Sequence, residues 1–313
     1  MRSGLKTIVS LAGAVTIFCL VGPLTIGQTT SETIEQSSIQ QSAQLKWINK
    51  TVEVPLRTSS VVLHVYLPET ESRNASLILY SSGSGGWHKF DNYIANSLAQ
   101  RGMPVCGISI HSYLKRFYST SRPATFDDLI DDYRALIREA RDVVGVNEAR
   151  PAILSGWSLG AGYAALAASD PSIKPEVRGV ISISLSRDNE AALSVGNRLM
   201  SRLTGKTFGP SFNVGEYLPR ISPLPVAIIQ AGRDRNASPQ SANQLITSAG
   251  ENAVDTFRLF NVEAGRSHSF AGARPDFDRV LDEALHWISH ETSPESAVPT
   301  VAMFSFSLQY AAF

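Results

Sequence analysis

The chain has 313 residues, and 43% of them are hydrophobic, so it can form one large α/β domain or two smaller domains with a proper core. Its 28 basic and 28 acidic residues give a formal net charge of +0, and no basic block stands out. This balance argues against nucleic acid or another polyanion as a partner.

The N-terminus, residues 1–27, has the pattern of a secretory signal peptide. Arg2 and Lys6 precede an uncharged apolar run at residues 8–21, and residues 25–27 provide a small-residue cleavage signature. An uncleaved membrane anchor is the alternative, but the run is short for a span of about 20 residues. We therefore expect export with cleavage, to the periplasm or outside the cell.

Apolar runs that alternate with helical patterns predict one α/β domain at residues 46–291, after a polar linker at residues 28–45. Residues 48–55 and 61–67 alternate polar and apolar side chains, which predicts an N-terminal antiparallel hairpin. Further strands are predicted at 77–80, 103–109, 152–154, 179–185, 224–230 and 256–262, and helices at 91–100, 125–143, 161–168, 238–248 and 276–290. This order favours a mostly parallel central sheet with helices on both faces.

Two segments depart from this alternation. Residues 186–223 interrupt it after a predicted strand, where a cap over an active site could lie; an ordinary surface excursion is the alternative. Residues 292–313 end in an uncharged apolar stretch that is too short to span a bilayer. That tail could add an edge strand, dock on the domain or extend from it.

The most informative stretch is GWSLG at residues 156–160, a G-x-S-x-G pentapeptide. A strand pattern precedes it and a small-residue helical pattern follows it, which is the context of a nucleophilic serine on a strained turn. Gly156 and Gly160 fit this turn because side chains there would collide with the neighbouring strand and helix. We therefore interpret Ser158 as a nucleophile; a chance pentapeptide in a glycine-rich turn is the alternative.

A serine nucleophile needs a base within hydrogen-bond reach, and the base needs an acidic partner. Of the six histidines, His268 lies in a short loop after the last predicted strand, where a base can reach the edge of the sheet. Asp234 ends a predicted buried strand between nucleophile and base, as the order serine, acid, histidine requires. Asp188 is the second candidate for the acid. The alternatives are a surface-loop histidine and a turn-capping aspartate.

The intermediate formed by such a nucleophile needs an oxyanion hole with two N–H donors. Leu159, which follows the nucleophile, is predicted to supply one donor. The other is expected from the glycine loop at residues 81–87, where Ser84 is the first candidate and Gly85 the second. A nucleotide-phosphate turn is the alternative interpretation of this loop, but its glycine spacing is not G-x-G-x-x-G.

Five residues are predicted to contact the substrate at the rim around the nucleophile: Trp87, His88, Lys115, Arg116 and Trp157. Lys115 and Arg116 belong to the aromatic and basic run HSYLKRFY at residues 111–118 and could bind an anionic head group. A solvated loop is the alternative for this run.

Neither a metal nor a disulfide is expected. No Cys, His and carboxylate cluster has metal-ligand spacing, and serine hydrolysis needs no cofactor. Beyond residue 27 the chain has one cysteine, Cys106, which lies in an apolar run and is interpreted as a buried thiol.

With these residues placed, the chain resembles the α/β-hydrolase superfamily and, more narrowly, the VirJ/AcvB group of exported bacterial virulence-associated proteins. The likeness covers most of residues 77–288. Its parts are the run SSGSGGWHKFD, FYS at 117–119, RP at 122–123, the helix at 126–140, the serine turn and HSF at 268–270. The group typically has an acidic residue at Ser84, a second histidine at Ser269, an aspartate at His111 and GYSFG at the serine turn. These departures affect the expected identity of the substrate more than the candidate triad of Ser158, His268 and Asp234.

The resemblance implies a periplasmic serine hydrolase that cleaves a carboxylic ester, either acyl or aminoacyl. For some members it implies cleavage of the aminoacyl ester of lysyl-phosphatidylglycerol, and with it contact with a membrane surface. Others are described as accessory to secretion. A non-catalytic binding or secretion-accessory protein on the same scaffold is therefore the alternative function, because a fold does not determine its function.

Overall fold

The structure, a computed structural model, describes eight segments of the chain. They are residues 47–57, 59–68, 75–118, 125–146, 150–186, 188–190, 211–250 and 255–291, and all belong to one compact unit. The predicted signal peptide, linker and apolar tail lie outside the described residues, as do residues 191–210 of the predicted cap.

The described residues contain ten strands. They are β1 (Trp47–Pro55), β2 (Ser60–Pro68), β3 (Ile78–Ser81), β4 (Val105–Ile108), β5 (Ala152–Trp157), β6 (Val177–Ile183), β7 (Asp188–Glu190), β8 (Ser211–Asn213), β9 (Val226–Ala231) and β10 (Phe257–Val262). Eight of them form one sheet in the order β1-β2-β4-β3-β5-β6-β9-β10, and β7 pairs with β8 in a separate ribbon.

Seven α-helices lie in the same segments. They are α1 (Lys89–Gln100), α2 (Ile110–Tyr118), α3 (Phe126–Val144), α4 (Leu159–Ala168), α5 (Val214–Tyr217), α6 (Pro239–Ser248) and α7 (Arg274–Glu291). Two short 3₁₀ helices, Lys174–Glu176 and Leu218–Arg220, complete the described elements. None of the helices in these segments is both long enough and apolar enough to cross a membrane.

The large sheet is mostly parallel. Only β2 runs against its neighbours β1 and β4, and every other neighbouring pair in this sheet is parallel. The predicted N-terminal hairpin and the predicted mostly parallel sheet are therefore confirmed.

Each face of the sheet carries its own hydrophobic cluster. Leu77 and Leu79 belong to one cluster and Ile78 and Tyr80 to the other, because successive side chains of a strand point to opposite faces. Helices α3, α4 and α6 contribute to the first cluster, and α1 and α7 contribute to the second. Burial on both faces explains why the central strands are continuous apolar runs.

The run at residues 111–118 is a helix rather than a solvated loop. Ile110, Tyr113 and Leu114 of α2 are fully buried, and their spacing of three and four residues forms an apolar stripe. Lys115 is exposed on the opposite side of that helix. Basic and aromatic residues dominate this run in the sequence, so the pattern did not predict the apolar stripe.

The predicted cap segment returns to the body of the domain at its C-terminal end. Val214, Leu218 and Ile221 are fully buried in the cluster that α3 and α4 also line. This end of the segment is therefore part of the core. Its described beginning, β7, pairs antiparallel with β8.

Candidate active site

The candidate active site lies at the carboxyl edge of the parallel strands. Ser158 directly follows β5, Asp234 follows β9, and His268 follows β10. The glycine loop, residues 81–87, begins at the last residue of β3, the neighbour of β5. Ligands bind at this edge in open parallel sheets. The topology therefore places the three side chains and the glycine loop at an edge where a ligand can bind.

Ser158 sits on a strained turn between β5 and α4. Its backbone angles are φ 57° and ψ −118°, and a non-glycine residue holds such a conformation only when its surroundings impose it. The Ser158 N–H donates to the Ile183 carbonyl at 2.8 Å, which ties the turn to β6. Because the Ser158 side chain does not cap α4, its hydroxyl is not occupied by that helix end.

Two glycines allow the turn to pack this tightly. A Cβ at Gly156 would overlap the backbone of Gly160, and a Cβ at Gly160 would overlap the carbonyl oxygens of Ser81 and Ser82. The glycine loop therefore lies directly against the start of α4. The sequence-based explanation of both glycines agrees with these contacts.

Asp234 and His268 form a short hydrogen bond, with 2.6 Å between Asp234 Oδ2 and His268 Nδ1. The Asp234 side chain is 2% exposed, whereas that of His268 is 23% exposed, so the ring reaches the surface from a buried partner. The other carboxylate oxygen accepts the Asn236 N–H at 2.8 Å. The structure thus brings together the predicted base and the first candidate for the acid.

The protonation of this pair follows from the environment of Asp234. Burial disfavours its charged form, but hydrogen bonds from His268 and from the N–H groups of Asn236 and Ala237 outweigh burial and lower the pKa of Asp234. An ionised carboxylate can only accept, so Nδ1 of His268 carries the proton. In the neutral ring, Nε2 then has a free lone pair, as a general base requires.

The backbone of His268 is held as well as its ring. Its carbonyl oxygen accepts a hydrogen bond from Trp157 Nε1 at 2.9 Å and another from Ser184 Oγ at 3.1 Å. Trp157 is a predicted substrate contact, but its indole N–H donates to the backbone carbonyl of His268. Ser184 was missed by the sequence analysis, because a serine at the end of a strand carries no local signal for such a bond.

The glycine loop is a tight turn held by neighbouring elements. The Gly86 N–H donates to the Gly83 carbonyl at 3.1 Å, and Gly86 has a positive φ of 95°. The loop is braced on the side of α2, where His111 Nδ1 lies 3.3 Å from the Ser84 carbonyl. Gly85, the second candidate for the oxyanion donor, is exposed at the tip.

A groove of about 490 Å³ lies beside the glycine loop. Its walls come from β1, β2, the glycine loop and the start of α2: Glu53, Ser60, Val61, Val62, His64, Gly85, Gly86, Trp87, His88, Ser109, His111 and Ser112. Two predicted substrate contacts, Trp87 and His88, line it. The Trp87 ring is stacked on His64 with centroids 4.1 Å apart, and its N–H donates to Asn92, so it forms a fixed wall.

One further predicted substrate contact, Lys115, does not line this groove. Lys115 is exposed on α2. The side chain of Arg116 lies outside the described residues, and so does that of Asp188, whose backbone is in β7. Asp234, rather than Asp188, is the carboxylate bonded to His268.

Neither the described cysteine nor a group of metal ligands forms a second reactive centre in the segments that the structure describes. Cys106 is buried, and burial raises the pKa of its thiol to about 12, so it is an inert thiol at neutral pH. Within the same segments, no group of three or more His, Cys, Asp or Glu residues could hold a metal ion.

Three of the solved structures that match this chain are named as a hydrolase or an esterase. A Klebsiella pneumoniae subsp. pneumoniae protein assigned as a dienelactone hydrolase matches with a TM-score of 0.59 and 13% identity, over 78% of this chain and 99% of that one. Est1E from Butyrivibrio proteoclasticus matches with a TM-score of 0.54 and 12% identity, over 76% of this chain and 99% of that one. The esterase domain of a Rhodothermus marinus protein matches with a TM-score of 0.53 and 17% identity, over 79% of this chain and 100% of that one. The chain therefore has the α/β-hydrolase fold.

The sequence itself identifies the family. The family model for the bacterial virulence protein VirJ matches residues 75–238, which is more than half of the chain. The chain belongs to the VirJ family. No curated protein matches it significantly.

The contact between the serine turn and the glycine loop predicts the effect of Gly160→Ala. The added Cβ would overlap the carbonyl oxygens of Ser81 and Ser82, so strand or helix must shift. We expect a loss of about 3 kcal/mol in the free energy of unfolding, as for overpacked cores, measured by urea denaturation. The matched control is Gly215→Ala, whose Cβ would be 3.4 Å from its nearest neighbour. Equal stabilities of the two variants would refute the close packing.

The pKa of Asp234 predicts how stability responds to acid. Because its pKa is lowered in the folded state, the Asp234–His268 pair stabilises the fold above the ordinary value of about 3.9. That contribution disappears as the pH falls through the folded-state pKa. Between about pH 6 and pH 3, we expect wild type to lose more free energy of unfolding than Asp234→Asn. Urea titrations at both pH values measure this, and equal losses would count against the pairing.

Proposed function

We propose that this protein is an exported serine hydrolase that cleaves a carboxylic ester. In this proposal Ser158 is the nucleophile, His268 is the general base and acid, and Asp234 orients His268. The observation that carries it is the 2.6 Å bond from His268 to a buried aspartate, at the sheet edge where Ser158 occupies a strained turn. Structure and chain order agree with the roles that such a triad requires.

The reaction follows from the protonation of the pair. Nε2 of His268 takes the hydroxyl proton as Ser158 Oγ bonds to the ester carbon, and the carbonyl electron pair moves to oxygen. Asp234 stabilises the imidazolium that forms. The intermediate expels the alcohol, which receives the proton from Nε2 and leaves an acyl group on Ser158. Water attacks in the same way, releases the acid and restores the serine.

The oxyanion hole is assigned to backbone N–H groups beside the nucleophile. Leu159 is the first residue of α4, so its N–H has no acceptor within the helix. The glycine loop is assigned the second donor, from Ser84 or Gly85, because this loop packs against the start of α4 at Gly160. Donors held in this way stabilise the developing negative charge without reorganising.

The groove beside the glycine loop is assigned to substrate binding. It shares Gly85 with the proposed oxyanion donors, so a substrate whose carbonyl lies at Ser158 can extend into it. Its lining combines the apolar side chains of Val61, Val62 and Trp87 with three serine hydroxyls, three imidazoles and the Glu53 carboxylate. Such a mixed lining suits a substrate that places an apolar portion and a few polar groups in the groove.

An aminoacylated phospholipid, such as lysyl-phosphatidylglycerol, is the finer part of the proposal. It is supported by the resemblance to the VirJ/AcvB group and by the signal-peptide pattern at residues 1–27, which would take the protein to the periplasm. Contact with a membrane surface follows from such a substrate. A non-catalytic binding or secretion-accessory role remains the contrasting function.

Serine reactivity tests the class of function. A fluorophosphonate probe should label the wild-type protein, and Ser158→Ala should abolish the label and lower the turnover of a short acyl ester by at least about 10³-fold. Ser248→Ala, in an exposed helical serine, is the matched control and should behave as wild type. Labelling that persists in Ser158→Ala would remove Ser158 from its role, and no label on wild type would favour the non-catalytic function.

Lipid hydrolysis tests the substrate class. The assay uses protein recovered from the periplasm. The mass of this protein also shows whether the signal peptide has been removed, so that the chain begins at Gln28. Liposomes that carry lysyl-phosphatidylglycerol should release lysine with wild type and not with Ser158→Ala, because the same nucleophile acts on both esters. Turnover of a short acyl ester without release of lysine would reject the lipid substrate and leave the esterase proposal standing.

A further inference from the structure

The carbonyl group of His268 accepts two hydrogen bonds that have no part in the proposed chemistry itself. Trp157 Nε1 donates to it at 2.9 Å, and Ser184 Oγ donates at 3.1 Å. Trp157 is the last residue of β5 and Ser184 follows β6, so the donors come from two adjacent strands. A carbonyl oxygen has two lone pairs, and both have a donor here.

The rest of the loop is fixed at its ends. The Gly265 N–H donates to Val262, and the Gly265 carbonyl accepts the Arg233 N–H at 2.9 Å. At the far end, Phe270 is fully buried. Among the described hydrogen bonds, those to the carbonyl are the ones that hold the backbone of His268 itself.

Both donors are themselves held in place. The Trp157 ring lies against Gly83, where a Cβ would be 2.8 Å from the ring, and it meets the Phe90 ring edge to face at 5.0 Å. Ser184 is fully buried with a positive φ of 51°, and its N–H donates to the Ile229 carbonyl at 2.8 Å. Such positioned donors can impose a geometry on the loop.

We propose that Trp157 and Ser184 are positioning residues, which form a clamp on the His268 carbonyl and set the imidazole relative to Ser158. Trp157 precedes Ser158 by one peptide bond, so a single side chain links the turn of the nucleophile to the backbone of the base. This inference rests on the proposed hydrolase function. It also gives the indole a role other than contact with the substrate.

Two substitutions separate the donors from their packing. Trp157→Phe retains an aromatic ring against Gly83 and Phe90 but removes the N–H, and Ser184→Ala removes the hydroxyl. Each single variant keeps one donor, so we expect kcat for a short acyl ester to fall by about 5-fold, the usual net effect of one hydrogen bond. The double variant has neither, and we expect a loss of about 10²-fold, since small misplacements of catalytic groups cost that much. The loss should exceed the product of the single losses because both bonds hold the same atom.

The kinetic pattern distinguishes positioning from a general loss of structure. A clamp acts on the transition state, so kcat and kcat/KM should fall equally while KM stays constant. The thermal unfolding midpoint is recorded alongside, and Trp287→Phe, a half-buried tryptophan on α7, is the matched control that should retain the wild-type kcat. If the double variant does not fold, the single variants test the clamp by the same criterion, an equal fall in kcat and kcat/KM.

The possible outcomes distinguish a failure of the clamp from a failure of the proposed hydrolase function. If wild type neither reacts with a fluorophosphonate nor turns over an ester, the hydrolase function itself is wrong. If wild type reacts and the folded variants keep the wild-type kcat, the clamp is refuted and the hydrolase proposal stands. A rise in KM at constant kcat would make Trp157 a substrate contact instead, which would also overturn the clamp.

Discussion

The hydrogen bond between Asp234 and His268 is the interaction on which the account of the site depends. A carboxylate that is 2% exposed would be costly to leave without a partner, and the imidazole supplies that partner at 2.6 Å. The same bond determines which nitrogen of the ring carries the proton. Without it, His268 would be a partly exposed loop histidine with no preferred orientation, and the strained turn at Ser158 would have no base assigned to it.

Strain and close packing at the serine turn are linked to the glycine loop. Ser158 can hold φ 57° because Gly156 and Gly160 let strand, turn and helix approach to distances that no Cβ permits. The same approach puts the glycine loop against the start of α4, where two proposed oxyanion donors would meet. Trp157 extends the network from the turn to the carbonyl of His268. The site is therefore a set of mutually dependent contacts from four strand ends.

The part of this arrangement that could be predicted is the part with a local signature. Strand position and chain order single out Ser158, Asp234 and His268, and only the structure shows that Asp234 reaches the ring of His268. The α2 helix was not predicted, because the stripe formed by Ile110, Tyr113 and Leu114 is short and lies within a run of basic and aromatic residues. The roles of Trp157 and Ser184 could not be predicted, because a bond to a carbonyl more than eighty residues away leaves no pattern in the sequence.

The central claim is that Asp234 holds His268 with its proton on Nδ1, ready to accept another at Nε2. The most direct measurement is proton NMR of protein labelled with ¹⁵N-histidine, which detects the imidazole proton and the nitrogen that bears it. We predict a far-downfield proton on Nδ1 of His268 in wild type and in Ser158→Ala, and its loss in Asp234→Asn. A wild-type ring that is protonated on Nε2, or whose Nδ1 proton exchanges freely with water, would contradict the account.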